Sequence, residues 1–395
     1  MSWPLASLGE VAPSKPLKNP EIIDENSVWQ LNLDKVESHS GLVIEKVYGS
    51  VQSAGSSTHW FDERHVLYSK LRPYLNKVVL PEEQGLATTE LVPLFPDKDR
   101  LDRKYLTYYL RSNRFVNWIS DQVAGAKMPR VSMKVFWEHQ IPLPPLHEQK
   151  RIAAILDKAD AIRRKRQHAV NLADDFLRSV FLDMFGDPVT NPKGWEVQTI
   201  VGLASKEKYS IKRGPFGGAL KKEIFVEKGY LVYEQYHALN NDFSFARYYI
   251  DEKKYQELKA FEVHEGDILI SCSGVNLGRL AIVPKGSAEG IINQALLKVK
   301  LDESKMLNEM FLSIFTHPNF KREFFGDNRG SGVPNFPPMS TFKEFGFIVP
   351  PIKEQLKFIA IVDSVKQLKQ RINSSYELTK DKFNSLSQKA FAGEL

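Results

Sequence analysis

The sequence predicts an α+β protein laid out twice, with two mixed strand-and-helix regions separated by two long helices that pack as an antiparallel coiled coil within an internal pseudo-two-fold repeat. Three observations lead there. The segment PPLHEQKRIAAILDKAD (Pro144 to Asp160) returns in register as PPIKEQLKFIAIVDSVK (Pro350 to Lys366). Each copy opens an unusually long stretch of helical apolar spacing. Between these stretches, short strands and helices alternate without the regular spacing of βαβ units, which favours α+β over a doubly wound sheet.

Taken in order, the chain divides into a first mixed region at 1–145, a central helix at 146–187, a second mixed region at 188–349 and a last helix at 350–395. The first region opens on Trp3-Pro4-Leu5 and the second on Gly194-Trp195-Glu196-Val197. Val47 to Val51 and Val78 to Leu80 read as strands, and Asp102 to Ile119 as helix. The central helix runs from Glu148 to Phe185, with apolar or small residues at 152, 155, 159, 162, 169, 173, 176 and 180 and one misfit at Arg166. This 3,4 spacing marks a seam against one partner helix. In the second region Gly266 to Ser271 and Leu280 to Val283 read as strands and Lys305 to Phe315 as helix. The last helix supplies Phe358, Ile361, Val365, Leu368, Ile372 and Leu386, with Phe391 standing where Phe185 stands in the first copy. At 1.5 Å per residue each helix is roughly 57 Å long, too long to bury inside one domain. Mutual packing is the economical arrangement, with pairing carried by Ile155, Ile162, Phe176 and Val180 on one helix and Ile361, Leu368 and Ile372 on the other.

Composition limits the functional classes. With 395 residues, 42% hydrophobic and 26% charged, the chain can fold into two or three domains, each with its own core. The single cysteine, Cys272, excludes an intrachain disulfide and points to a reducing, cytoplasmic setting. No apolar run reaches the ~18 residues of a membrane span, so no membrane partner is expected. His59 and His65 lack the further converging ligands that a metal site needs, so no metal is expected. Catalytic signatures are equally sparse: Arg213 to Lys222 is glycine-rich without phosphate-loop spacing, and Asn335-Phe336-Pro337-Pro338 has the letters of an amino-methyltransferase motif in the wrong order. No suitable carboxylate precedes Glu303-Ser304-Lys305 in a recognisable nuclease motif. No catalytic residue is assigned.

What remains is cationic and polar, in keeping with a formal charge of +6 and a pI near 9.0. In the first region Lys70, Arg72, Tyr74, Asn76 and Lys77 interleave basic, aromatic and amide side chains, followed by Lys127 and Arg130. The second offers Lys212, Arg213, Lys221 and Lys222, then Ser273, Asn276 and Arg279, then Asn328 and Arg329. Arg and Lys neutralise phosphates and read guanine, and Asn reads adenine, so these residues are the candidate nucleic-acid-binding set. The run Arg163-Arg164-Lys165-Arg166 on the central helix either tracks phosphates or solvates an outer face.

The repeated Pro-Pro-Leu/Ile-x-Glu-Gln helix start, the run GPFGGALKK, the stretch GDILISCSGVNLGRLAIVP, Ile292-Asn293-Gln294-Ala295 and the terminal KAFAGEL together resemble the DNA-specificity subunit of type I restriction-modification systems. The resemblance covers both repeats. It implies two target-recognition domains, each reading one half of a split site in double-stranded DNA, and two helices that set the spacing and dock two methyltransferase subunits. It further implies restriction subunits joined through the complex, S-adenosylmethionine carried by the methyltransferase partner and no cofactor or catalysis on this chain. The first region departs from the pattern, with YSKLRPYLNKVVLP in place of ILISCSGVNLGRLAIVP and no GPFG counterpart. The competing readings are a single-chain restriction endonuclease, which needs a carboxylate cluster or methyltransferase motif, and a coiled-coil or other DNA-binding scaffold, which would not need two large polar-loop domains.

Overall fold

A computed structural model describes residues 3–124, 128–274, 277–326 and 336–395, apart from the side chains of 124, 217 and 375–378. The chain folds into two compact units, one made of residues 1–170 with 371–395 and the other of residues 171–370. This grouping cuts across the four consecutive segments expected from the sequence, because each long helix gives part of its length to each unit.

In the first unit, a four-stranded sheet has the order Val47–Gly49, Val28–Leu31, Gly85–Thr88, Thr58–Phe61, with the central pair parallel and both outer pairs antiparallel. A three-stranded antiparallel sheet follows, ordered Val78–Val79, Val66–Ser69, Leu91–Leu94. Between these sheets sits a core of Trp29, Phe61, Leu67, Val79 and Leu91. The helical part has two helices, Arg103–Arg111 and Asn113–Asp121, where the sequence suggests one. The break falls at Ser112, whose extended backbone ends the first helix and whose hydroxyl accepts the amide of Phe115 to cap the second.

The second unit repeats these orders. Its mixed sheet runs Tyr249–Ile250, Tyr230–Tyr233, Gly290–Ile292, Glu262–Val263, again with a parallel central pair. Its antiparallel sheet runs Ile211–Arg213, Leu296–Val299, Ile268–Ser271, Leu280–Ile282. The strand Ile211–Arg213 is extra; in the first unit only an isolated bridge, Ser14 to Leu94, stands at that edge. Helices Asn308–Phe315 and Pro318–Phe325 complete the unit.

The long helices span Leu146–Phe185 and Ile352–Ala392. The Pro-Pro-x-x-Glu-Gln repeat proves to be a clamp at their starts. Gln149 is fully buried; its amide nitrogen donates to the carbonyls of Arg100 (2.8 Å) and Pro144 (2.7 Å), and its oxygen accepts the amide of Asp102 (2.8 Å). Gln355 does the same with Lys305 (2.9 Å), Pro350 (2.7 Å) and the amide of Leu307 (2.9 Å). Each glutamine thus satisfies backbone groups that burial would otherwise leave orphaned.

Within the first unit, Ile152 and Leu156 from the start of the first long helix share a core with Ala390 and Phe391 from the end of the second. Within the second unit, Phe181 and Phe185 pack on Phe358, with ring centroids 5.7 and 5.5 Å apart. The expected seam is corrected at three positions: Ile162, Phe176 and Leu368 are 48%, 50% and 52% exposed. Ile155, Val180, Ile361 and Ile372 are half-buried. The cause is the period. The buried residues Gln149, Ile152, Ala153, Leu156, Asp160, Phe181 and Phe185 lie within about 100° of one another on a straight helix of 3.6 residues per turn, with the small Ala173 alone to one side. A strict seven-residue repeat drifts ~20° per heptad from that line, and Ile162 and Phe176 lie about 80° and 120° around the helix from Ile152 at 100° per residue.

Candidate nucleic-acid interface

In the second unit, four chain segments are tied together at one end of the strands of the antiparallel sheet. The strand ending at Arg213 turns through Gly214, whose amide donates to the carbonyl of Leu296 (2.9 Å). A Cβ at this position would lie 1.8 Å from the carbonyl oxygen of Asn293, so only glycine permits the approach. The amide of Cys272 donates to the carbonyl of Ala295 (2.8 Å), fixing the loop that follows Ile268–Ser271. The side-chain amide of Gln235 then donates to Ser271 Oγ (2.9 Å), the Ser273 carbonyl (2.9 Å) and Ser273 Oγ (3.0 Å).

On this frame stand the expected cations, with different fates. The Arg213 guanidinium lies 5.6 Å from the ring of Phe216, which is itself 71% exposed. Lys221, Lys222 and Arg279 are exposed. The Arg279 charge, together with burial as the larger cause, holds the Lys321 ammonium below its ordinary value. Lys212 is turned to the aromatic faces of Tyr209 and Phe261, at 5.1 and 4.8 Å. Ser273 is occupied by Gln235. Cys272 is buried, and burial pushes its thiol up to about 12.

In the first unit, the hairpin from Val66–Ser69 to Val78–Val79 carries the corresponding loop. Arg72 and Asn76 both have φ of +49°, bracketing the short turn Pro73–Leu75. Arg72 and Tyr74 are exposed, and the amide of Arg72 donates to the carbonyl of Pro129 (2.8 Å), which places residues 128–131 beside the loop. Lys70 is half-buried. Arg130 is exposed and paired with Glu90 at 2.9 Å. Two expected base-facing residues are instead internal. Asn76 is 9% exposed and its amide donates to the carbonyl of Arg111 (3.0 Å), while Lys77 donates to the carbonyl of Leu33 (2.6 Å). Burial lowers the Lys77 ammonium from its ordinary value. The left-handed backbone at Asn76 is the reason an amide stands there, since Asn tolerates that conformation and can bond locally.

Lys127, Asn276, Asn328 and Arg329 lie outside the described residues. Phe216 and Gln235 belong to the site without having been singled out from the sequence. Phe216 stood in the flagged glycine-rich run, whereas nothing local distinguishes Gln235 from any surface glutamine. Among the described residues no three His, Cys, Asp or Glu side chains converge as a metal would require, and no helix is long and apolar enough to cross a membrane. His65 is buried between Asp62 Oδ1 (2.8 Å) and the carbonyl of Lys15 (2.9 Å).

Two curated relatives are similar over long stretches. The EcoDI type I restriction enzyme specificity subunit of Escherichia coli is 26% identical over 229 residues, 55% of this chain and 50% of that protein. The MjaIX specificity subunit of Methanocaldococcus jannaschii is 24% identical over 284 residues, 67% of this chain and 62% of that protein. The chain therefore spans about half the length of the first of these relatives and somewhat more of the second. Among solved structures, a chain from work on complex assembly and conformational transition of the type I R-M system matches all of this chain and 98% of its own, with a TM-score of 0.59 at 17% identity. That likeness is one of fold. The family profile described as the type I restriction modification DNA specificity domain matches residues 73–172 and 192–378. The repeated glutamine clamp, the twice-used sheet order and this match over both repeats lead to one conclusion: the chain belongs to the type I restriction modification DNA specificity family.

Proposed function

We propose that this chain is the specificity subunit of a type I restriction-modification complex, in which each unit reads one half of a bipartite site in double-stranded DNA. The observation that carries this reading is the repetition of one sheet order with different chemistry at the same hairpin, Arg72 and Tyr74 exposed in the first unit and Arg279 in the second, where the Arg213–Phe216 pair stands at the same end of the sheet. One scaffold bearing two different loop sets suits a protein that reads two different half-sites. Guanidinium groups and exposed rings are the side chains that meet base edges and phosphates.

The long helices, running antiparallel without the heptad seam expected at Ile162, Phe176 and Leu368, set the spacing between the two readers and dock two methyltransferase subunits, through which restriction subunits join. S-adenosylmethionine belongs to the methyltransferase partner, and the chain itself transfers no methyl group and cuts no DNA. A cytoplasmic location follows from such a role. The experiment is a domain exchange read by methylome sequencing. Replacing residues 1–143 by the equivalent region of a relative changes one half of the methylated motif and leaves the other intact. A change in both halves, or methylation by the chain without its partner, defeats the reading.

A further inference from the structure

One cation of the second unit stands where the repeat would place an apolar side chain. The helix caps Ser112 and His317 lie at matching distances beyond the amides held by Gln149 and Gln355, and the rings that follow them, Phe115 and Phe320, are both buried. On this register Lys321 in Pro318–Phe325 occupies the place of Val116 in Asn113–Asp121, and both residues are half-buried. A valine needs no partner there. A lysine loses part of its hydration and is rarely drawn in without an acid to pair it.

Among the described residues no acid meets it. The Lys321 side chain has neither an ion pair nor a hydrogen bond, and its ammonium is held below its ordinary value by burial first and by the like charge of Arg279 second. Packing explains why the two cations are neighbours. The hairpin that follows Ile268–Ser271 turns back at Gly278, whose amide donates to the Ser271 carbonyl (2.9 Å), while the Arg279 carbonyl accepts the Ser271 amide (2.7 Å). A Cβ at Gly278 would lie 3.7 Å from the rings of both Phe315 and Phe325. The turn therefore rests on the helix that carries Lys321. Lys321 and Phe325 are one helical turn apart on the same face, so the hairpin delivers Arg279 beside the lysine. Arg279 is exposed and likewise has no acid partner among the described residues. Apolar packing thus holds two like charges together against their repulsion.

We propose that Lys321 and Arg279 together seat one phosphate of the DNA backbone beside the half-site read by the second unit, with Arg279 facing that phosphate rather than a base. A phosphate oxyanion supplies the counter-charge that the fold withholds, and charge-assisted hydrogen bonds from an ammonium and a guanidinium suit its oxygens. The contact is independent of base sequence. The first unit carries Val116 at the matching position, so the seat belongs to one half-site alone. The proposal rests on the proposed function.

The test uses the full chain in complex with its methyltransferase subunits and a duplex bearing the methylome-derived motif. Lys321→Val installs the residue that the first repeat already tolerates, so the melting temperature holds or rises. Lys321→Val combined with Arg279→Gln flattens the dependence of log affinity on log salt by about 0.9, the value of one phosphate. The fall in affinity between 50 and 200 mM salt is then about 3.5-fold smaller than in the wild type. Matched and mismatched duplexes weaken by the same factor, and the methylated motif is unchanged. A neutral methylphosphonate linkage walked through the second unit's half-site finds one position that weakens the wild-type complex and leaves the double variant unaffected. A lowered melting temperature for Lys321→Val, an unaltered salt slope in the double variant, a linkage scan identical in the two proteins, or a motif changed by Arg279→Gln overturns the seat while leaving the bipartite reader standing. A wild-type complex indifferent to the motif overturns both.

Discussion

Replacing Gln149 by Met keeps the length and volume of the side chain in its buried slot while deleting all three of its hydrogen bonds. Each is worth about 0.5 to 1.5 kcal/mol net. The carbonyls of Arg100 and Pro144 and the amide of Asp102 lose these partners in the interior, so the total sits near the upper end of the sum, about 3 to 4 kcal/mol. For a cooperative unit of roughly 150 to 250 residues, each kcal/mol moves the melting temperature by about 2 to 4 °C. Calorimetry of the variant is therefore expected to show one transition lowered by about 6 to 16 °C. Hydrogen exchange gives the local readout: the Asp102 amide, which donates to Gln149, loses protection, while the Leu307 amide, which donates to Gln355, keeps it. Gln355→Met produces the mirror result. A melting shift under about 2 °C, which corresponds to less than one hydrogen bond, or unchanged protection at Asp102, would refute the clamp as the reason the glutamine recurs.

Three further outcomes are expected. Gly214→Ala brings a methyl group to 1.8 Å from the Asn293 carbonyl, so the loop must move; methylome sequencing is expected to show the half-site of the second unit lost or relaxed and that of the first unit retained. His139, half-buried against Trp118 with its Nε2 at 2.8 Å from the Tyr109 hydroxyl, is held down to about 4 by partial burial first and the Arg114 charge second. Its folded value is below the unfolded one near 6.5, so the unfolded state binds the extra proton; its stabilising contribution is present above about pH 6.5 and is lost as pH falls toward 4. The loss is at most about 3 kcal/mol, and His139→Gln is expected to flatten the fall in stability measured by denaturant unfolding between pH 7 and 4. Finally, Leu156→Ala and Phe181→Ala each cost about 2 to 5 kcal/mol, whereas Ile162→Ser and Leu368→Ser stay within about 0.5 kcal/mol as surface changes; comparable losses in all four would restore the heptad seam.

The repeat and the long helices were legible because their signals are local. Proline pairs stop what precedes them, and the Glu-Gln that follows lies within one helical turn. The strands at Val47, Val78, Ile268 and Leu280 likewise declared themselves by β-branched runs between turns. The break at Ser112 is marked only by the short polar run Arg111 to Arg114, which a single amphipathic helix could also present to solvent; what decides it is the Ser112 hydroxyl capping Phe115. At the candidate site, exposure could not be read from residue type: Lys70, Arg72, Asn76 and Lys77 are equally polar on paper. The carbonyls of Arg111 and Leu33 that take up Asn76 and Lys77 come from segments 35 and 44 residues away. The same distance effect hid Gln235, whose three acceptors lie 36 to 38 residues downstream.

The packing of the last helix bears on how the chain is made. The first unit is discontinuous: Phe391 packs edge-on against Tyr105 and Tyr109 at 5.3 and 5.1 Å, and with Ala390 it closes a buried core whose other members all precede residue 157. The second unit is one uninterrupted stretch, 171–370. During synthesis the region translated first therefore waits, its aromatic core open, until the end of the last helix leaves the ribosome, while the region translated second is already complete. A nonsense codon ahead of Ala390 and Phe391 unmakes the core of the first unit, formed by residues translated long before it. Chaperone demand during biogenesis should accordingly concentrate on residues 1–170 in the interval before the C-terminal helix arrives to seal them.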